Sequence, residues 1–328
     1  MKRLLAAAAA FSLATTGVAS AAWQPDKPVE FIVTAGAGGG TDIFARTVQG
    51  IITKYNLLSQ PIVILTKGGG SGAEGFIYGK ATPGDAHKVV FGTSNEWLLP
   101  LVAKVAWKYD DFAPIAAMAF DEFILWVKQD SPFKTAAEYV AAAKAAPGTL
   151  KMGGSQTKDL DQTLVRLMER TADIKVTYIP FKSGGETAVQ LAGGHIDSNT
   201  NNPAENVGQW KGDQGRPLCV FSPKRLAPGP KVTATMGWSD IPTCREQGLP
   251  VEFKMPRAAY LPGGVSADAV TFWAGVFKKV FESPEWNEYI VRTSQSTQFL
   301  AGDEFKAFIK SEEARNRKSF EEDGWLVK

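Results

Sequence analysis

Six times along this chain a short run of β-branched and aromatic residues gives way to a cluster of glycines and small polar residues, and then to a helical stretch. The clusters are Gly36-Ala37-Gly38-Gly39-Gly40-Thr41-Asp42, Gly68-Gly69-Gly70-Ser71-Gly72, Gly92-Thr93-Ser94, Gly153-Gly154-Ser155-Gln156, Lys182-Ser183-Gly184-Gly185 and Asn199-Thr200-Asn201-Asn202. Before the first of them, Val29 to Val33 reads as a strand; after it, Phe44, Val48, Ile51 and Ile52 fall on one helical face. Strands alternating with helices at this spacing imply an α/β fold with mixed, mostly parallel sheets flanked by helices.

The pattern comes in two blocks. One strand–helix series ends near Val89-Val90-Phe91, and a second begins at Phe123-Ile124-Leu125-Trp126-Val127. Within it, Thr135 and Glu138 are spaced as a capping box, and Pro147-Gly148 ends that helix. Residues 223–262 read as a Pro/Gly-rich stretch, and three helical segments follow it. About 300 residues suit two domains better than one core. We therefore expect one lobe from residues 23–122 plus 223–328 and a second from 123–222, with crossings near Phe123 and Phe221.

In an open parallel sheet, ligands bind at the carboxyl ends of the strands, where helix N-termini present unpaired N–H groups and a partial positive charge. Glycine lets backbone approach a guest closely. Six such turns converging from two lobes would cage a carboxylate. Each donor to a charged acceptor nets about 1.5–3 kcal/mol, and micromolar affinity needs about 8 kcal/mol. A handful of amides suffices on this count, with no arginine required.

Compartment and charge narrow the function. Met1-Lys2-Arg3, the apolar Leu4–Val18 run and Ala19-Ser20-Ala21 have the form of a cleaved secretory leader over residues 1–22, leaving Ala22 or Trp23 first. The expected location is the periplasm. The chain has 36 Lys+Arg and 34 Asp+Glu, and loss of Lys2 and Arg3 leaves it formally neutral. With no dense basic run, nucleic acid is not an expected partner. Cys219 and Cys244 are free to form one disulfide in an oxidising compartment or to stay as buried thiols.

Catalytic and cofactor signatures are missing. Gly36-x-Gly38-x-x-Thr41 lacks the third glycine of a dinucleotide fingerprint, and neither Ser71 nor Ser155 stands in a nucleophile elbow. His87 and His195 have no partner at zinc spacing. Asp159 with Asp161, or Glu186 with Glu205, can be drawn as a hydrolytic pair, but nothing in the spacing favours that over capping roles. No enzyme, cofactor or metal is expected.

Gly38-Gly39-Gly40-Thr41-Asp42-Ile43-x-Ala45-Arg46, Asp111-Phe112-Ala113-Pro114-Ile115, Pro180-Phe181-Lys182-Ser183-Gly184-Gly185, Gly193-Gly194-His195-Ile196-Asp197 and Ile241-Pro242-Thr243-Cys244-Arg245-Glu246-Gln247-Gly248 carry a resemblance. In this order and over nearly the whole chain, it resembles the periplasmic solute-binding subunits of tripartite tricarboxylate transporters, the TctC or Bug family. The resemblance implies a two-lobed Venus-flytrap fold, a monomer without enzymatic activity, and delivery of a carboxylate to a membrane permease. It places ligand contacts at Gly38, Gly39, Gly40, Thr41 and Asp42, at Gly72 and Ala73, at Thr93 and Ser94, and at Ser155 and Gln156. Further contacts fall at Ser183, Gly184 and Gly185, and at Asn201 and Asn202.

Thr66-Lys67-Gly68-Gly69-Gly70-Ser71-Gly72 replaces the family's more usual Asn-Arg-Pro-Gly-Ala-Gly, and with Arg257-Ala258-Ala259-Tyr260-Leu261-Pro262 it looks closer to the tricarboxylate-binding branch. A di- or tricarboxylate is the expected ligand. An aromatic acid such as terephthalate is the alternative if Trp97, Phe120, Phe123, Trp126 and Phe181 face the cleft rather than the core. A periplasmic sensor docking on a signalling partner is a further alternative, and a secreted hydrolase the last.

Overall fold

The computed structural model describes residues 23–327; the leader expected over 1–22 lies outside them. The chain begins β1 (Val29–Val33), α1 (Gly40–Lys54), β2 (Ile62–Thr66), α2 (Ala73–Lys80), β3 (Lys88–Gly92), α3 (Asn95–Val102) and β4 (Phe112–Glu122). It continues as β5 (Ile124–Lys128), α4 (Ala136–Ala145), β6 (Lys151–Ser155), α5 (Leu160–Ala172), β7 (Thr177–Phe181), α6 (Gly184–Ala192), β8 (Ser198–Asn199), α7 (Pro203–Lys211) and β9 (Gly215–Val220). The last elements are β10 (Lys254–Pro262), α8 (Ala267–Phe281), α9 (Pro284–Thr293), β11 (Ser296–Ala301) and α10 (Gly302–Glu322).

These strands form two sheets, ordered β11-β4-β10-β3-β1-β2 and β7-β6-β8-β5-β9. Both are mixed. Parallel pairing is confined to β2-β1-β3 and β7-β6-β8, the strand–helix units legible in the sequence. The antiparallel pairs involve β3, β4, β5, β8, β9, β10 and β11. Of these, the long β4 and β10 pair from Phe112↔Pro262 to Glu122↔Lys254.

Alternation along β1 shows how the first sheet is covered. Val29, Phe31 and Val33 pack with Phe44, Val48, Ile51 and Ile52 of α1 and with Trp273 and Phe277 of α8. Ile32 faces the other way, into a core shared with α2, α3 and α10. A period of two on the strand meets a period of about 3.6 on the helix. In the second sheet Trp126 is fully buried and stands edge-on to Trp210 and Trp238.

The chain passes from the first sheet to the second at Phe123 and returns to β10 only after residue 253. Leu226, Trp238 and Ile241 pack with Ile124, Trp126 and Val220 of the second sheet. Val220 donates to the Pro242 carbonyl at 2.9 Å, and Cys244 to the Val220 carbonyl at 2.9 Å. Residues 223 to about 250 thus lie against the second lobe, whereas the sequence reading assigned everything from 223 onward to the first. At the crossing Phe221 donates to the Phe123 carbonyl and Phe253 to the Phe221 carbonyl, both at 2.8 Å.

Cys219 of β9 is disulfide-bonded to Cys244, 25 residues on. A crosslink closing a loop of that length removes denatured-state entropy worth about 3 kcal/mol. Reduction, or replacement of both cysteines by alanine, is expected to lower the melting temperature by roughly 5–10 °C in a calorimetric scan. An unchanged melt under reductant would show that the return segment needs no covalent tether.

Candidate functional site

A cavity of about 690 Å³ lies between the two sheets, within the usual range for small-molecule sites. Its first wall is the loop after β1 (Thr34 to Thr41), with Gly68, Gly69 and Ser71 after β2 and Thr93 and Asn95 after β3. The opposite wall carries Ser155, Gln156 and Asp159 to Asp161 after β6, Lys182 to Gly185 after β7, and Asn202, Ala204 and Glu205 after β8. The floor is Asp121, Phe123, Met255, Arg257, Tyr289, Thr293 and Gln295. The walls also touch each other: Ser71 Oγ donates to Gln156 Oε1, and both residues hold left-handed backbone, at φ 59° and 58°.

The helix N-termini on the two walls are finished differently. On the far wall the helices are capped by their own side chains: Asp159 accepts from Leu160 on α5, Ser183 from Glu186 on α6, and Asn202 with Glu205 forms a capping box on α7. On the near wall α1 starts after Gly39, which has no side chain to cap it. Asp42 accepts the Gly38 N–H at 2.8 Å and is held by Arg46 at 3.0 Å. The N–H groups of Gly40 and Thr41 are left without a partner among the described residues. They are the unpaired donors of a helix start, and the dipole there favours an anion.

Arg257 lies over that helix start. It is 5% exposed; Nη1 donates to Thr41 Oγ1 at 2.8 Å, Nη2 pairs with Asp121, and Nε has no partner. Burial works hardest against its charge, but Asp121 together with Tyr289 and Glu205 outweighs it and raises the guanidinium's pKa. A Cβ on Gly40 would stand 2.3 Å from Nη2, so the arginine occupies the space a side chain there would take.

The other wall is acidic. Asp161 accepts from the Ser155 N–H and hydroxyl (the latter at 2.7 Å), both on Oδ2. Burial, and then the charge of Glu205, pushes its carboxyl up to about 8. Burial pushes Glu205 up to about 7 despite the attraction of Arg257, and burial also raises Asp159. The Glu205 carboxyl lies on Gly184, where a Cβ would be 2.3 Å away.

The cavity gathers Gly38, Gly39, Gly40, Thr41, Thr93, Ser155, Gln156, Ser183, Gly184, Gly185 and Asn202 of the residues expected from the sequence. Five others do not line it. Asp42 is 2% exposed and shapes the first loop from behind. Gly72 packs on Thr34, Ala73 leads into α2, and Ser94 is buried at the start of α3. Asn201 is fully buried and donates to the Gly184 carbonyl at the start of α6 and to Asn206, both at 2.6 Å.

The sequence reading missed Arg257, Asp121, Tyr289 and Gln295, and met Asp159, Asp161 and Glu205 only as arbitrary acid pairs. The signal for Arg257 was present: one charge inside the apolar run Met255-Pro256-Arg257-Ala258-Ala259-Tyr260-Leu261. Of the five aromatics considered, only Phe123 lines the cavity; Trp97, Phe120 and Trp126 are at most 1% exposed in the cores.

Two α/β lobes closing on a crevice of strand-end loops define a solute-binding protein of the periplasmic type. Structures of MatC from Rhodopseudomonas palustris with bound malate (TM-score 0.78, 20% identity, 90% of this chain and 99% of that one) and of R. palustris Rpa4515 with adipate (TM-score 0.80, 22% identity, 92% and 98%) have the same fold. The chain is also 29% identical over 326 residues to the UPF0065 protein in the gbd 5' region of Cupriavidus necator, covering 95% of this chain and 93% of that one. Residues 44–324 match the tripartite tricarboxylate transporter family receptor, TctC, and the chain belongs to that family.

Proposed function

We propose that this protein, exported to the periplasm, captures a small aliphatic carboxylate and hands it to the permease of a tripartite tricarboxylate-type transporter, without turning it over. The observation that carries this reading is the uncapped start of α1 beneath the buried Arg257, where free N–H groups and a charged guanidinium meet in one cavity wall. Support comes from MatC and Rpa4515, which hold malate and adipate in the same fold. The aromatic alternative has Phe123 and Tyr289 in the lining but none of the tryptophans.

A thermal-shift screen across organic acids tests the reading. A ligand at about 100 times its dissociation constant adds about 2.7 kcal/mol, a rise of roughly 5–10 °C for a chain of this size. At least one aliphatic carboxylate is expected to give that rise. A panel in which none does, and in which an ester or glycoside is instead consumed, would replace this reading with a hydrolase.

A further inference from the structure

A second cavity, of about 710 Å³, lies behind the crossing between the lobes. Strand alternation separates the two. Phe120 and Glu122 line the rear cavity while Asp121 and Phe123 line the cleft. On the return, Lys254 lines the rear, and Met255 and Arg257 line the cleft. Both lobes build the rear walls: α7 and residues 221–232 come from the second, and the end of α9 with the start of β11 from the first. The carboxylate reading above makes no use of this space.

Its chemistry is unlike that of the cleft. Phe120, Phe221, Leu226, Trp238, Phe253 and Ile290 give it an apolar body. Seven lysines and arginines line it against two acids, Glu122 and Glu252. Three of the seven are already paired, Arg225 with Glu246, Lys231 with Asp240 and Arg315 with Glu312. Lys254 lies over the Phe120 ring at 4.5 Å. Lys211, Lys224 and Arg292 are exposed at the rim and make no ion pair among the described residues. Of the acids, Glu252 is held by Arg245, and Glu122 lies at the base, 5% exposed, accepting from Ser296 at 3.0 Å. Burial pushes the Glu122 carboxyl up to about 7, so near neutral pH the base holds less than a full negative charge.

We propose that the rear cavity is a second binding site, for a small amphipathic anion: an apolar body against Phe221, Trp238 and Ile290, and a single anionic head among Lys211, Lys224 and Arg292. The cavity has the size of a small-molecule site, and such sites are mostly apolar with a few placed polar groups. The apolar body leaves water for aromatic and aliphatic surface, and the head meets the excess of positive charge at the rim. The same features tell against the short polar acids proposed for the cleft, which have nothing to lay on these walls.

Calorimetric titration with octanoate, and with octanamide as its uncharged counterpart, tests the site. Octanoate is expected to bind the wild type at least ten-fold more tightly than octanamide. Reversal of the rim charge in the double variant Lys224→Glu with Arg292→Glu should weaken octanoate at least ten-fold. Both positions are exposed, so the variant should melt as the wild type does. Gly40→Glu, which puts a carboxylate at the α1 start in the cleft, should leave octanoate affinity within two-fold of wild type. Anilinonaphthalene sulfonate, titrated by fluorescence against the same three proteins, repeats the test with an aryl anion, and this order in either anion supports the site. Loss of binding in Gly40→Glu would put the anion in the cleft and overturn the proposal. Equal binding of octanamide, indifference to the rim reversal, or no binding of either anion at millimolar concentration would overturn it as well.

Discussion

Arg257→Met is expected to lower the melting temperature by roughly 6–20 °C and to weaken carboxylate binding at least ten-fold. The stability effect arises from what the substitution leaves behind. Asp121 is 2% exposed and paired with the guanidinium, and removing one partner of a buried pair typically costs about 3–5 kcal/mol. At about 2–4 °C per kcal/mol this gives the stated drop. The binding effect has another origin, the loss of a charged donor worth about 1.5–3 kcal/mol to an anionic guest. The double variant Arg257→Met with Asp121→Asn separates the two. Stability should largely return because no buried charge is stranded, while affinity should stay low. Recovery of both would mean that Arg257 braces the floor without touching the guest.

Gly40→Glu is expected to abolish binding, by more than a hundred-fold, in a chain that still folds. A Cβ at this position collides with the tip of Arg257 and forces it off Thr41. The new carboxylate then reaches the arginine and the open α1 start and fills the place of the guest's own. Because this exchange supplies a replacement partner for Arg257, the circular dichroism spectrum should be unchanged and the melt should shift less than in Arg257→Met. Titration with whichever carboxylate stabilises the wild type is the measurement. Unaltered affinity would remove the first glycine loop from the site.

How much of this was legible in the sequence depends on the range of the interaction. The strand–turn–helix units were readable because they are local: Phe44, Val48, Ile51 and Ile52 announce α1 by spacing alone, and Thr135 with Glu138 announces the start of α4. The glycine clusters could be placed at strand ends for the same reason. What was hidden is made by pairing distant segments. β10 lies in a stretch rich in proline and glycine, and it becomes a central strand only because β3 and β4 flank it. Arg257 therefore reaches Thr41, 216 residues away, and Asp121, 136 residues away. The acids of the far wall were misjudged differently. Asp159 and Glu205 have the spacing of ordinary caps, and they are caps, while Asp161 accepts from Ser155; what spacing could not show is that all three line one cavity. Asp42 and Asn201 lie the other way, buried behind the loops and outside the cavity lining.

The crosslink at Cys219 bears on how the two lobes turn against each other. Residues 222–252 leave and rejoin the crossing side by side, fastened at Phe221 and Phe253, and the disulfide pins their midsection to β9. This long excursion therefore supplies no slack. The crossing itself is a two-ply ribbon, one ply at Glu122–Phe123 and the other at Phe253–Lys254, with the Phe123 and Phe253 rings edge-on at 5.2 Å. The two lobes also meet away from this ribbon, where Arg170 of α5 pairs with Asp323 at the end of α10. Asp121 and Arg257 lie beside the ribbon in the chain, so a twist there is expected to move that pair less than it moves the far wall.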